Sequence, residues 1–84
     1  MHVIEAIDLA TQELFRARDL YPDWPQHLPS ATLIAMEEAG EVAKAVNNYY
    51  YQQGDDTLDD IRKECIQTIA MFLRLLADTE ELQG

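Results

Sequence analysis

The chain is short of most groups on which enzymes build chemistry. It holds one cysteine, Cys65, which excludes an internal disulfide and fits a reducing, cytoplasmic setting. Three glycines are too few and too scattered for a phosphate-cradling loop. There is no Cys/His cluster, no Ser-His-Asp arrangement, no internal repeat and no low-complexity tract. No apolar run is long enough to span a bilayer and no signal peptide is evident, so a soluble protein is expected. Basic residues are scarce: 6 Lys and Arg stand against 16 Asp and Glu, a formal charge of −10. Such a chain repels phosphate backbones, which excludes DNA, RNA and anionic membrane surfaces as direct ligands. A nucleotide that arrives with a divalent cation is not excluded.

What is present is apolar residues at helical spacing. The apolar content of 48% is ordinary for a folded domain, and 84 residues make one domain with a marginal core. A small helical chain this apolar often completes its core by self-association. The periodicity predicts an all-α fold with three helices, over residues 3–20, 30–53 and 57–78. Val3, Ile7, Ala10, Leu14 and Ala17 form the stripe of the first, with Arg16 and Arg18 suited to its C-terminal dipole or one of them to a phosphate. Pro22, Pro25 and Pro29 break the chain around Trp24, which reads as a plug for the helical core or a stacking platform for a base. Ser30 reads as the cap of the second helix and Gly54 as its stop, and Thr57 or Asp56 caps the third. Leu58, Ile61, Cys65, Ile69, Phe72 and Leu76 form the expected apolar centre of that third helix.

The acidic residues do not all fall on polar faces. At about 100° per residue, Glu37 projects to the polar side of the second helix. Glu38 falls between Ala45 and Tyr49 inside the apolar arc, and Glu41 lies at its edge beside Ile34. In the third helix Glu64 borders the apolar face, with Gln67 and Asp60 following on the same flank. Carboxylates beside a buried stripe are costly unless a cation compensates them. A site made only of oxygen donors suits a hard cation, chiefly Mg²⁺ or Mn²⁺, which also accepts substrate phosphates.

Glu38-x-x-Glu41 followed by Glu64-x-x-Gln67 resembles the paired motifs of the MazG-like all-α nucleoside triphosphate pyrophosphohydrolases. The likeness covers about residues 33–77, and Glu37-Glu38-Ala39-Gly40-Glu41 is a typical local form of the first motif. It implies an oligomeric helical bundle, a homodimer or homotetramer, in which Glu38, Glu41, Glu64 and Gln67 hold Mg²⁺. The expected reaction cleaves an NTP or dNTP to the monophosphate and pyrophosphate, of the kind that cleanses nucleotide pools. Glu38 or Glu41 would orient the attacking water as general base, and Arg18, Trp24, Asn48 and Lys63 are the candidate substrate contacts. One position departs from the family: its closing aspartate is Gln67 here, a weaker and uncharged ligand, for which Asp60 is a candidate replacement. Two other classes compete, a non-catalytic acidic helical module and a degenerate binder of metal or nucleotide.

Overall fold

The computed structural model describes all residues, 1–84, and holds three helices and no strand. Helix α1 spans Val3–Leu20, α2 Leu28–Tyr50 and α3 Leu58–Asp78, with a 3-10 turn at Glu80–Leu82. The first and third match the periodicity closely. The second begins two residues before the expected start and ends three before the expected end. Pro29 causes the early start, because a proline in the first helical turn has no N–H to waste. His27 occupies the cap position without a side-chain cap bond, while Ser30 Oγ lies 2.8 Å from His27 Nδ1. At the other end Gln52 takes a left-handed φ of 54°, so the helix stops before Gly54 is reached. Thr57 caps α3 as expected, in a reciprocal box with Asp60.

Helix α3 is the central element and packs against both α1 and α2. The contacts are made mainly by small side chains: Ala10 and Ala17 of α1, Ala31, Ala35 and Ala45 of α2, and Ala70 of α3 are all buried. Small residues let helix axes approach closely, but they remove little apolar area from water. Leu14 and Leu75 are the only large apolar side chains that are buried. Trp24, Leu28 and Met71 pack on the cluster of Ala31, Ala35 and Leu75, so Trp24 does close one end of the core.

The apolar stripe expected at the centre of α3 is only partly inside. Ile61 and Cys65 are half-buried, Leu58, Ile69, Phe72 and Leu76 are exposed, and the buried arc is Ala70, Arg74 and Leu75, the last from the flank of the expected stripe. The two neighbouring helices leave much of its most apolar arc open. In α1, likewise, Val3 and Ile7 are exposed while Ala10, Leu14 and Ala17 are buried. Tyr49, Tyr50 and Tyr51 are all exposed. No helix is long and apolar enough to cross a membrane.

The loop between α1 and α2 is fastened to the C-terminal end of α3. Trp24 Nε1 donates to Thr79 Oγ1 at 2.9 Å, and Gln26 Nε2 donates to the Asp78 carbonyl at 2.7 Å. Arg74, 3% exposed, donates to the Tyr21 carbonyl and lies 4.9 Å from the centre of the Trp24 ring. This fastening holds Tyr21 and Trp24 over the space enclosed by the three helices.

Candidate active site

That space is an inner cavity of about 290 Å³. Glu13 and Arg16 of α1, Trp24 of the loop, Glu38 of α2, and Gln67 and Met71 of α3 lie in its wall. An outer cavity of about 540 Å³ adjoins it along the groove between α1 and α3. Glu13, Arg16 and Gln67 line both, so the two form one cleft with these residues at its waist.

Glu38 is the electrostatic centre of the inner cavity. Burial pushes its carboxyl above the ordinary range, and the negative charges of Glu64, Glu41, Glu13 and Glu37 push it further. Glu64 and Glu41 therefore stand near enough to Glu38 to oppose its ionisation, although neither lines the cavity. Gln67 does line it, so one residue of each motif, Glu38 and Gln67, stands in the cavity wall.

Tested against a divalent cation, these residues fit in kind. All the donors are oxygens, and Glu38 carries an uncompensated cluster of negative charge of the sort a hard cation relieves. As the side chains stand, no group of three or more acidic, histidine or cysteine side chains closes on one point. A cage needs side-chain rotation toward the cavity. Asp60 does not serve as the replacement for the missing aspartate. Its Oδ2 accepts from Thr57 N at 2.8 Å and from Thr57 Oγ1 at 2.9 Å, and these bonds hold its carboxyl below the ordinary range. The cap of α3 has taken it.

The four candidate substrate contacts separate. Trp24 forms a wall of the inner cavity and Lys63 lines the outer one. Arg18 lines neither; its guanidinium makes two bonds to Asp78, at 3.0 and 2.6 Å, in the loop fastening. Asn48 Nδ2 donates to Asp56 Oδ2 at 2.8 Å in the α2–α3 turn and also lines neither cavity. Two residues of the cleft, Glu13 and Arg74, escaped the sequence reading. Glu13, with a side chain 12% exposed, and Arg16 are joined by a bidentate pair at the waist, and Arg74 forms part of the inner wall. Glu13 carried the same signal as Glu38, since it projects only about 40° from Ala17 at the border of the α1 stripe.

No family model matches this chain, and no curated protein or solved structure matches it.

Proposed function

We propose that the protein is a Mg²⁺-dependent nucleoside triphosphate pyrophosphohydrolase of the MazG-like kind. The observation that carries this reading is Glu38, a carboxylate crowded by Glu64 and Glu41 in the wall of a cavity large enough for a nucleoside. Structure alone gains nothing from charges held in such proximity, whereas a cation with a triphosphate would relieve them. Glu38, Glu41, Glu64 and Gln67 are the residues that would hold the ion, with Mn²⁺ as an alternative. When bound, it supplies charge neutralisation for the phosphates and a more acidic water. Glu38 or Glu41, whichever the ion did not engage, would serve as general base, and burial with the neighbouring negative charges already raises the proton affinity of Glu38. The indole of Trp24, with Met71 and Ile34 around it, offers a base-sized apolar wall.

The experiment is a panel of ribo- and deoxyribonucleoside triphosphates assayed for pyrophosphate release with Mg²⁺ and with Mn²⁺. Metal-dependent release from at least one of them is the expected result; none from any would sink the hydrolase. Gln67→Asp adds a carboxylate at a position already in the cavity wall. It is expected to tighten Mg²⁺ binding, read by calorimetry, by about tenfold. Unchanged affinity would show that Gln67 lies outside the ligand sphere.

The same reading includes a homodimer or homotetramer, supported by the open stripe of α3. Ile69, Phe72 and Leu76, at 43, 37 and 60% exposure, repeat at spacings of three and four, which is a helix-pairing pattern. Patches of this kind mark contact surfaces. Leu76→Glu is expected to shift the sedimenting species to a smaller size, and a wild type that sediments as a monomer would refute self-association. The stripe also suits a non-catalytic helical module, which would assemble in the same way but release no pyrophosphate.

A further inference from the structure

Basic residues are unevenly placed for a chain of charge −10. Of only six, Arg16, Arg62 and Lys63 all line the outer cavity. Arg16 is at the waist, and the other two lie across the groove on the first turns of α3. Two of the three are paired within their own helix. Arg62 Nη1 meets Asp59 at 2.6 Å with both side chains exposed, a pair of the weak kind. Arg16 binds the nearly buried Glu13 carboxylate through Nε and Nη2 and keeps its Nη1 free. Lys63 has no carboxylate within ion-pair distance. Gln12 and Gln67 add amide donors to the same lining. Glu13 and Asp59 offset two of these charges, and nothing in the packing of α1 on α3 calls for the third.

We infer that the outer cavity is an anion subsite for a polyphosphate chain, which enters beside Lys63 and Arg62 and ends at Arg16. This rests on the hydrolase reading only for direction: the nucleoside end lies in the inner cavity and the polyphosphate end in the outer one. Arg16 keeps Glu13 on Nε and Nη2 and offers its free Nη1 to a phosphate oxygen when the chain is seated. Guanidinium forks suit two oxygens at once, and the Lys63 ammonium acts as a point charge at the mouth.

Inorganic tripolyphosphate is the probe, titrated calorimetrically into the full chain at low and moderate salt with Mg²⁺ present. Lys63→Gln with Arg62→Gln is expected to weaken its binding at least about tenfold, the loss of one charge-assisted contact or more. Lys44→Gln, which removes an exposed charge on α2 outside both cavities, leaves binding within about twofold. Equal losses from the α2 and α3 substitutions, or no binding by the wild type, would overturn the subsite. Kinetics keep this separate from the hydrolase itself. If triphosphates are cleaved, the double variant raises KM and leaves kcat largely unchanged, as loss of uniform binding does. Cleavage with an unaltered KM overturns the subsite and leaves the enzyme standing. Tripolyphosphate binding that depends on Lys63 without any cleavage upholds the subsite and removes the hydrolase.

Discussion

Glu38→Gln is expected to abolish metal-dependent pyrophosphate release while making the metal-free protein more stable. Loss of a general base costs about 10² to 10⁴ in rate, and loss of a carboxylate ligand at that position would weaken the hold on the cation. The stability effect has the opposite sign because Glu38 is held above its ordinary titration by burial and by Glu64, Glu41, Glu13 and Glu37. The folded state therefore binds its proton more tightly than the unfolded chain does. Stability falls as pH rises through that raised titration, and the full penalty is present at neutral pH. Glutamine keeps the shape and removes the penalty. In chelator at pH 7 the variant is thus expected to melt above the wild type, and the two converge well below the ordinary glutamate titration, at about pH 3 and under, where Glu38 is protonated in both states. Added Mg²⁺ raises the wild-type midpoint and leaves that of the variant nearly fixed, by mass action on a site only the former retains. A variant that melts lower than the wild type in chelator would show that Glu38 is structural. A loss of activity with an intact metal response would place it outside the cation's reach.

The three helices were legible because apolar spacing and prolines are local signals. Val3 to Ala17 repeats cleanly, and Thr57 announces the start of α3. The second helix was misplaced at both ends by residues with two roles. Ser30 looks like a cap yet sits inside the first turn, because Pro29 is accommodated there; Gly54 looks like a stop, yet Gln52 turns first. The face that α3 turns inward was only partly legible. A wheel finds the most apolar arc, but α1 and α2 pack on alanines, and Arg74 lies on the buried side through hydrogen bonds that no periodicity encodes. At the site, Glu38 stood out because an acid among apolar neighbours is an anomaly. Glu13 belonged to the same class and was hidden by its local partner, since a Glu three residues before an Arg reads as an ordinary surface pair. Arg18 and Asn48 failed as substrate contacts for one reason: their partners, Asp78 and Asp56, are supplied by the fold and not by their own helices. Side chains from distant segments decide which polar group is free, and one chain read in order does not reveal them.

Those distant partners set the second large effect, in which two arginines on one carboxylate do different work. Arg74→Met is expected to destabilise the protein by about 3 kcal/mol, a fall in Tm of more than about 10 °C for a domain of this size. The buried guanidinium bonds the Tyr21 carbonyl, faces the Trp24 ring and reaches Asp78 Oδ2 at 3.2 Å. Its removal leaves a part-buried carbonyl unpaired and takes away the cation–π contact, each a loss of a kcal/mol or more. Methionine keeps the volume, so the loss measures those polar contacts and not a cavity. Because the loop they fasten forms a wall of the inner cavity, KM for a triphosphate is expected to rise as well. Arg18→Met is expected to cost less, about 1 kcal/mol, because that side chain is a third exposed. What Arg18 controls is the acid limb. Its two bonds to Asp78 are the main reason that carboxyl is held below the ordinary range, with burial opposing and Arg74 assisting. A depressed carboxyl contributes stability above its unfolded titration, near pH 4, and loses it as pH falls through the lower folded value. Wild type should therefore lose stability steeply below about pH 4, Asp78→Asn should lose less there, and Arg18→Met should flatten the same limb. Denaturant midpoints taken from pH 7 to pH 2 separate the cases. A flattened acid limb in Arg74→Met, with little loss at pH 7, would reverse the roles assigned to the two arginines. A steep limb retained in Asp78→Asn would move the acid sensitivity to other carboxylates.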